Sequence, residues 1–253
     1  MTFDPPVRHV EMATIHNFRD IGGYEAMGGM SVRMRALYRA DGLYRLAFSD
    51  DDIAIVRDLG IRTVIDLRSD RELEERGRFP VDKHDVDFHH VPIIDKTWEH
   101  TDVPDFANDV DFLVWAYEQM LVEGRDKFRR AFSVIADGAQ LPVVYHCAAG
   151  KDRTGLLTML LLGVLGVHDD DIVHDYALSQ EAMKRMLQWL EVNYPEGADN
   201  MKSGPTYYMA AHPDAMLEII RRLRERHGSF DEIAHSFGVT PRSIAALRST
   251  MLV

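Results

Sequence analysis

One short stretch of the chain combines the residue types that nucleophilic chemistry on an anion needs. It reads "YHCAAGKDRTG" (145–155) and contains Cys147, the single cysteine among 253 residues. The small residues after Cys147 let the backbone curl so that successive N–H groups point inward, and a helix starting near Arg153 adds the positive end of its dipole. Because such surroundings stabilise a thiolate, we interpret Cys147 as a nucleophile beside an anion cradle.

Arg153 and Thr154 extend this cradle. The planar guanidinium of Arg153 can grip two oxygens of one phosphoryl group, which an ammonium cannot do. The Thr154 hydroxyl can donate a hydrogen bond to the sulfur and make it a better leaving group when a covalent intermediate breaks. The positions expected to contact a bound phosphoryl group are Ala148, Ala149, Gly150, Lys151 and Thr154. The alternative is a buried cysteine that ends a core strand and precedes an ordinary helix.

The same stretch excludes two other kinds of site. It has the Gly-Lys pair of a nucleotide-binding P-loop, but Tyr145 stands where the first glycine is required. In addition, Asp152 follows Lys151 where such a loop requires serine or threonine. A single cysteine also excludes an internal disulfide and a cysteine-cluster zinc site. A nucleotide-binding loop and a cysteine-cluster metal site are therefore excluded, and we predict no metal and no cofactor for this site.

The elements that must position this loop alternate between strands and helices. The predicted strands are 36–40, 62–67, 86–94 and 141–147. The predicted helices are 50–60, 70–76, one from about 109, one around 128–135, and then 154–166, 169–193, 213–227, 230–237 and 241–250. This order predicts an α/β fold with a mostly parallel sheet flanked by helices, a helical C-terminal third and a helical, lid-like insertion. Ligands of such sheets bind beyond the carboxyl ends of the strands, where Cys147 stands.

Five stretches of the chain resemble the atypical bacterial protein tyrosine phosphatases, a family of tyrosine, dual-specificity and phosphoinositide phosphatases. They are "HCAAGKDRTG" (146–155), "NFRDIGGY" (17–24), "LYRADGL" (37–43), "VIDLRSDRELEERG" (64–77) and "HGSFDEIAHSFGVTPRSIAALRSTML" (227–252). The resemblance implies a cysteine-dependent phosphatase fold and metal-independent hydrolysis of phosphomonoesters through a phosphocysteine intermediate. It implies protein phosphotyrosine as the main substrate and leaves dual or lipid specificity open. It also implies Cys147 as the nucleophile and Arg153 as the phosphate clamp.

The general acid is the least determined role. The chain has no clear Trp-Pro-Asp acid loop upstream, and "DVPDF" (102–106) is the nearest approximation. The resembled family implies an aspartate inside the loop, hence Asp152. A carboxylate beside a phosphate dianion is repelled, which favours the protonated form that a leaving oxygen needs. Alternatively, Asp152 pairs with Lys151 or Arg68 and only shapes the loop. The rival acids are Asp66, Asp95 and Asp105.

Four further residues are secondary candidates. Lys151 resembles loop lysines that help phosphoinositide phosphatases hold additional phosphates, and a solvated lysine is its alternative. His146 is expected to orient the loop through a hydrogen bond. Asp66 and Arg68 end a predicted strand at the same edge of the sheet, which makes them second-line candidates.

The charge of the chain limits its partners. A formal net charge of −12 argues against nucleic acid, and it weakens the alternative that phosphoinositides on anionic membranes are the main substrate. Residues 230–247 have the spacing of a helix-turn-helix, which keeps DNA binding as a remote alternative. The stretch has no net positive charge, so packing is favoured. The expected partners are phosphorylated proteins or phosphoinositides, and the oligomeric state stays open.

Length and hydropathy suggest one phosphatase domain over 1–253. The connection at 95–125 is long, acidic and aromatic, as insertions that cover active sites often are. The N-terminus has no uninterrupted apolar region of the kind a signal peptide needs, and the apolar stretch 155–167 is too short to span a bilayer. We therefore predict a cytoplasmic protein without stable membrane insertion, while export by another route stays open.

Overall fold

The structure is a computed structural model that describes residues 8–94 and 104–253. Its centre is a sheet of five strands: β1 Arg19–Asp20, β2 Leu37–Ala40, β3 Thr63–Asp66, β4 Asp87–His90 and β5 Val143–His146. The strands are arranged in the order β1-β2-β5-β3-β4. β1 runs antiparallel to β2, and the other three pairings are parallel. The predicted α/β fold with a mostly parallel sheet is confirmed, and β5, which precedes the cysteine, is its central strand.

Eleven α-helices are found in the described part of the chain. They are α1 Asp50–Asp58, α2 Asp70–Arg76, α3 Asp109–Glu123, α4 Arg125–Asp137, α5 Asp152–Leu165, α6 Asp169–Ala177, α7 Ser179–Asn193, α8 Pro195–Ser203, α9 Pro213–His227, α10 Phe230–Ser236 and α11 Pro241–Met251. Helix α5 begins two residues earlier than predicted, so that Asp152 and Arg153 lie in its first turn. Helix α8 was not predicted, because it buries only Ala198 and therefore shows no apolar periodicity.

The helix predicted over 169–193 is in fact two helices, α6 and α7, separated at Leu178. A continuous helix would use the carbonyl of Asp175 to accept the amide of residue 179. Here that carbonyl accepts a hydrogen bond from the guanidinium of Arg19 at 2.7 Å. The competing side-chain donor gives a physical reason for the break.

The sheet separates two hydrophobic clusters, and α5 runs through the larger one. Every residue of α5 from Thr154 to Leu165 is buried, which explains why this helix is apolar on all sides rather than on one face. It packs against α3, α4, α6, α10 and α11. The loop before α5 is thus fixed at both ends, by the central strand and by the most buried helix.

The helix-turn-helix-like segment is part of this packing. Helix α10 packs against α5 and α9, and α11 packs against α4 and α5. Ile233, Ile244 and Leu247 are buried there, and Arg248 is held by Asp231 and by the carbonyl of Val164. Within the described residues, no helix is long and apolar enough to cross a membrane.

The predicted lid at 95–125 lies partly outside the described residues, which resume at 104. Its later part forms α3, and Phe112, Leu113 and Leu121 of this helix belong to the main core. Helix α3 packs against α4, α5, α9 and a 3₁₀ turn at Thr206–Tyr208. The described part is therefore a core helix. A covering role for the segment, and the single domain over 1–253, stay predictions.

Candidate active site

The loop of residues 147–151 joins the end of β5 to the start of α5, at the carboxyl edge of the sheet. Cys147 is 2% exposed and lies at the base of this loop. Gly150 has a φ of +65°, in the left-handed region that favours glycine. A Cβ atom there would stand 2.5 Å from the carbonyl oxygen of Ala40. The loop thus presses against the end of β2 so closely that only glycine fits.

The carbonyl groups of the loop are bound from outside. The side-chain amide of Asn17 donates to the carbonyls of Ala149 and Gly150 at 2.9 and 3.1 Å, and Arg39 donates to the Gly150 carbonyl at 2.8 Å. The backbone N–H groups of residues 148–151 have no acceptor among the described residues. Turning the carbonyls outward leaves these N–H groups for an anion, which is the geometry of a backbone nest.

A buried ion cluster holds Asn17 and Arg39, the two side chains that brace the loop, in place. Asp175 is fully buried and accepts hydrogen bonds from both Arg19 and Arg39, and Arg19 also donates to the side-chain oxygen of Asn17. Burial by itself raises the pKa of Asp175, but the two guanidinium groups outweigh it and lower the pKa to about 2. Asp175 was not among the site residues predicted from the sequence. Its only signal was an acid on the apolar face of α6, next to the buried Tyr176.

Arg153 is oriented by a carboxylate that sequence reasoning also missed. Its Nη1 and Nη2 donate to the two oxygens of Glu72 at 2.5 and 2.9 Å. Burial opposes the charge of Arg153, yet the Glu72 hydrogen bond, followed by the charges of Cys147, Glu72 and Asp152, raises the pKa of the guanidinium. Glu72 was recognisable as the third residue of a capping box with Ser69, but the sequence held no sign of its second partner.

Asp152 is held by a pair of tyrosines. The hydroxyl of Tyr117 on α3 donates to Oδ1 of Asp152 at 2.5 Å, and the hydroxyl of Tyr176 on α6 lies 2.6 Å from that of Tyr117. Asp152 also lies 3.5 Å from Lys151 Nζ, so one predicted loop-shaping partner is close. The other is wrong, because Arg68 is bound elsewhere.

Lys151 is neither solvated nor turned toward a ligand. It is 2% exposed, which contradicts the alternative of a solvated lysine. Its ammonium donates to the carbonyls of Tyr207, Tyr208 and Ala210 at 2.9, 3.0 and 2.9 Å. The side chain thus fixes the segment around the 3₁₀ turn against the loop, a role that depends on distant backbone and is invisible in the motif.

Asp66 and Arg68 form a fully buried ion pair below the loop. Arg68 donates to both oxygens of Asp66, at 2.9 Å and 2.6 Å for the closest contacts, and to the carbonyl of Gly77 at 2.8 Å. Burial raises the pKa of Asp66, but His146 and Arg68 outweigh it, so the pKa is lowered. This second-line acid is therefore ionised and engaged. Of the other rivals, Asp105 is exposed and Asp95 lies outside the described residues.

His146 and Thr154 are both fully buried next to the cysteine. Burial lowers the pKa of His146, and the charge of Asp66 opposes this shift. Its Nδ1 lies 3.2 Å from the carbonyl oxygen of Cys147, as expected for a residue that orients the loop. The predicted hydrogen bond from Thr154 to the sulfur is wrong for this structure, because Oγ1 has no hydrogen-bond partner among the described residues. Thr154 lies in the first turn of α5, and its side chain is fully buried there.

The sequence was compared with protein families, curated proteins and solved structures. Residues 10–253 match the model of a family described as the tyrosine phosphatase family. A tyrosine-protein phosphatase of Nostoc commune is 29% identical over 222 residues, which cover 84% of this chain and 73% of that protein. The triple specificity protein phosphatase PtpB of Mycobacterium tuberculosis is 30% identical over 280 aligned residues, covering 96% and 98% of the two chains. Among solved structures, TpbA of P. aeruginosa is 16% identical, with 83% and 90% coverage and a TM-score of 0.34.

Proposed function

The chain belongs to the tyrosine phosphatase family and is a protein-tyrosine-phosphatase, and we propose that it hydrolyses phosphomonoesters through a phosphocysteine on Cys147. The loop geometry carries this proposal. The carbonyls of Ala149 and Gly150 are bound from outside. The N–H groups of residues 148–151, which find no acceptor in the described part of the chain, follow directly after Cys147, the only thiol of the sequence. Such a nest binds three phosphoryl oxygens and stabilises a thiolate at the same time.

The first step transfers the phosphoryl group to sulfur. The Cys147 thiolate attacks phosphorus, the P–S bond forms and the P–O bond to the alcohol or phenol breaks. Asp152 gives its proton to the departing oxygen, and Arg153 and the loop N–H groups neutralise the charge on the phosphoryl oxygens. Glu72 takes two of the five N–H donors of Arg153, which leaves three donors for the phosphoryl group.

The second step returns the enzyme to its starting form. Water attacks phosphorus, the P–S bond breaks and the thiolate is regenerated. Asp152, now a carboxylate, accepts a proton from the attacking water and becomes the acid for the next cycle. In these two steps, each proton and electron pair is supplied by substrate, water or a protein side chain. We therefore expect the rate of hydrolysis to be unchanged when a metal chelator is added.

Substrate range is part of the proposal. We place protein phosphotyrosine first, as the family implies. One relative is named a triple specificity protein phosphatase, which supports activity on more than one class of phosphomonoester here. Phosphoinositide hydrolysis is the second candidate. In the present structure all three N–H donors of Lys151 are engaged by backbone carbonyls, so extra lipid phosphates would have to be bound by other groups.

A comparison of two leaving groups tests the acid. General acid catalysis is worth ~10²–10⁴-fold, and its value grows with the basicity of the leaving oxygen. Asp152→Asn should therefore slow phenyl phosphate far more than 4-nitrophenyl phosphate, whose leaving group needs little protonation. Asp105→Asn, which changes an exposed rival, serves as the control. Equal slowing of both substrates by Asp152→Asn would assign Asp152 to loop structure only.

The nucleophile is tested separately. Cys147→Ser should abolish turnover of phosphotyrosine, phosphoserine and phosphoinositides while inorganic phosphate or vanadate still binds. The native enzyme is assayed on the same three substrates with a chelator present. Turnover by the serine variant above background would show that another group performs the chemistry.

A further inference from the structure

Asp152 is held at only one of its two carboxylate oxygens. Tyr117 donates to Oδ1 at 2.5 Å, and Lys151 Nζ lies 3.5 Å from the same atom. Oδ2 has no hydrogen-bond partner among the described residues, and the side chain is 28% exposed. The two oxygens of this carboxyl group are therefore inequivalent: Oδ1 is anchored by Tyr117, and Oδ2 has no such anchor in the described part of the chain.

The anchoring hydroxyl is itself fixed. Tyr117 is fully buried on α3, and a phenol has one proton, which Tyr117 gives to Asp152. The hydroxyl of Tyr176, 2.6 Å away, must then donate to the oxygen of Tyr117. Burial, followed by the charge of Asp152, raises the pKa of Tyr117 well above its ordinary value. The phenol therefore remains a donor throughout the working pH range.

We propose that Tyr117 is a positioning residue for the reaction. Its hydroxyl occupies Oδ1 of Asp152, so that the transferable proton sits on Oδ2, and Tyr176 holds Tyr117 in this arrangement. The proposal rests on the proposed role of Asp152 as the general acid. In the first step the proton leaves Oδ2 for the departing oxygen. In the second step Oδ2 receives a proton from water. Tyr117 keeps its own proton in both steps.

This arrangement has a measurable effect on pH dependence. The groups that face Asp152 are Lys151 and Arg153 from the loop and α5, Tyr117 from α3, and Tyr176 from α6. A donor to a carboxylate favours the ionised form, so its removal lets the acid keep its proton to higher pH. In Tyr117→Phe the cations Lys151 and Arg153 remain. The basic limb of the pH profile of kcat/KM for phenyl phosphate, where the rate falls as the acid loses its proton, should therefore move up by about 1 pH unit, the effect of one hydrogen bond to a charged group.

Three phenol-to-phenylalanine variants make the test specific. Tyr176→Phe removes the second hydroxyl of the hydrogen-bonded series Tyr176–Tyr117–Asp152, and it should move the basic limb in the same direction by a smaller amount. Tyr145→Phe is the matched control, because Tyr145 is equally buried and bonds to Thr158 of α5 at 2.8 Å without touching Asp152. It should leave the basic limb in place. In an Asp152→Asn background, Tyr117→Phe should cause no further change in the ratio of rates for phenyl and 4-nitrophenyl phosphate.

The outcomes separate this proposal from the one it rests on. A uniform loss of rate at every pH in Tyr117→Phe, with the basic limb unmoved, would overturn the positioning role. If that variant does not fold, an unmoved limb in Tyr176→Phe overturns it equally. Should Asp152→Asn slow both leaving groups alike, the acid assignment itself fails. An Asp152→Asn effect confined to phenyl phosphate, together with an unmoved limb in Tyr117→Phe, refutes only the role of the tyrosine.

Discussion

Substituting Glu72 by glutamine should weaken both the fold and the phosphate clamp. Glu72 holds Arg153 through two hydrogen bonds and closes the capping box of α2 with Ser69. Burial raises the pKa of Glu72, but the hydrogen bonds and charge of Arg153 outweigh it and lower the pKa from 4.5 to about 2. At about 1.4 kcal/mol per pKa unit, the ionised carboxylate contributes about 3 kcal/mol to stability at neutral pH.

The sign of the pH dependence follows from the direction of this pKa change. A carboxylate whose pKa is lower in the folded state stabilises the fold fully above its unfolded pKa of 4.5, and this contribution is lost as the pH falls toward 2. Urea unfolding of the wild type and Glu72→Gln should therefore differ by about 3 kcal/mol at pH 7. The difference should shrink steadily below pH 4.5.

The effect on activity comes through Arg153. Without the carboxylate, the guanidinium is no longer fixed against the loop, and misplacing a catalytic group by about 1 Å can cost ~10²-fold in rate. We expect kcat/KM for phenyl phosphate to fall by ~10–100-fold. Glu75→Gln, on the same helix, is the control, because within the described residues Glu75 pairs only with the exposed Arg71. The reasoning is refuted if Glu72→Gln keeps the kcat/KM and the urea midpoint of Glu75→Gln.

Three further changes test the loop and its braces. Gly150→Ala places a Cβ atom 2.5 Å from the Ala40 carbonyl oxygen at a φ of +65°, so turnover should fall by ~10²-fold or more; near-normal turnover would mean that the loop can move away from β2. Asp175→Asn leaves two buried guanidinium groups without their carboxylate and should cost about 3–5 kcal/mol of unfolding free energy, measured in urea at pH 7; a loss below about 1 kcal/mol would contradict the bracing role. Mild peroxide should inactivate the enzyme by oxidising Cys147, which has no second cysteine in the chain to form a disulfide; mass spectrometry of an inactivated sample with an intact thiol would refute this.

The sequence predicted the elements around the site because each has a local signal. The central strand is a run of apolar residues, α5 follows it directly, and the small residues between them indicate a tight loop. Cys147 and Arg153 were predicted as nucleophile and phosphate clamp from their residue types and from the family resemblance, and these roles stay predictions. The structure has Cys147 at the start of that loop and Arg153 in the first turn of α5. The N-terminal motif was also informative: Asn17 of "NFRDIGGY" binds the loop carbonyls.

The partners of the loop could not be predicted, because they come from distant parts of the chain. Glu72 precedes Arg153 by 81 positions, and Tyr117 precedes Asp152 by 35. Tyr117 lies in the stretch that acidic and aromatic composition suggested as a cover, whereas the structure buries it in α3. Composition reports what a segment contains, but only the packing decides which side chain faces inward.

The two cations of the motif illustrate how donor number decides between structure and substrate. Lys151 has three N–H donors, and the carbonyls of Tyr207, Tyr208 and Ala210 accept all three. Arg153 has five, and Glu72 accepts two. Of these two cations, Arg153 is the one that retains donors for a phosphoryl group in addition to the N–H groups of the loop. For Lys151 to bind additional phosphates, the segment around Thr206–Tyr208 would have to detach from the loop. The ammonium of Lys151, which lies 3.5 Å from Asp152, would then move away from the proposed acid.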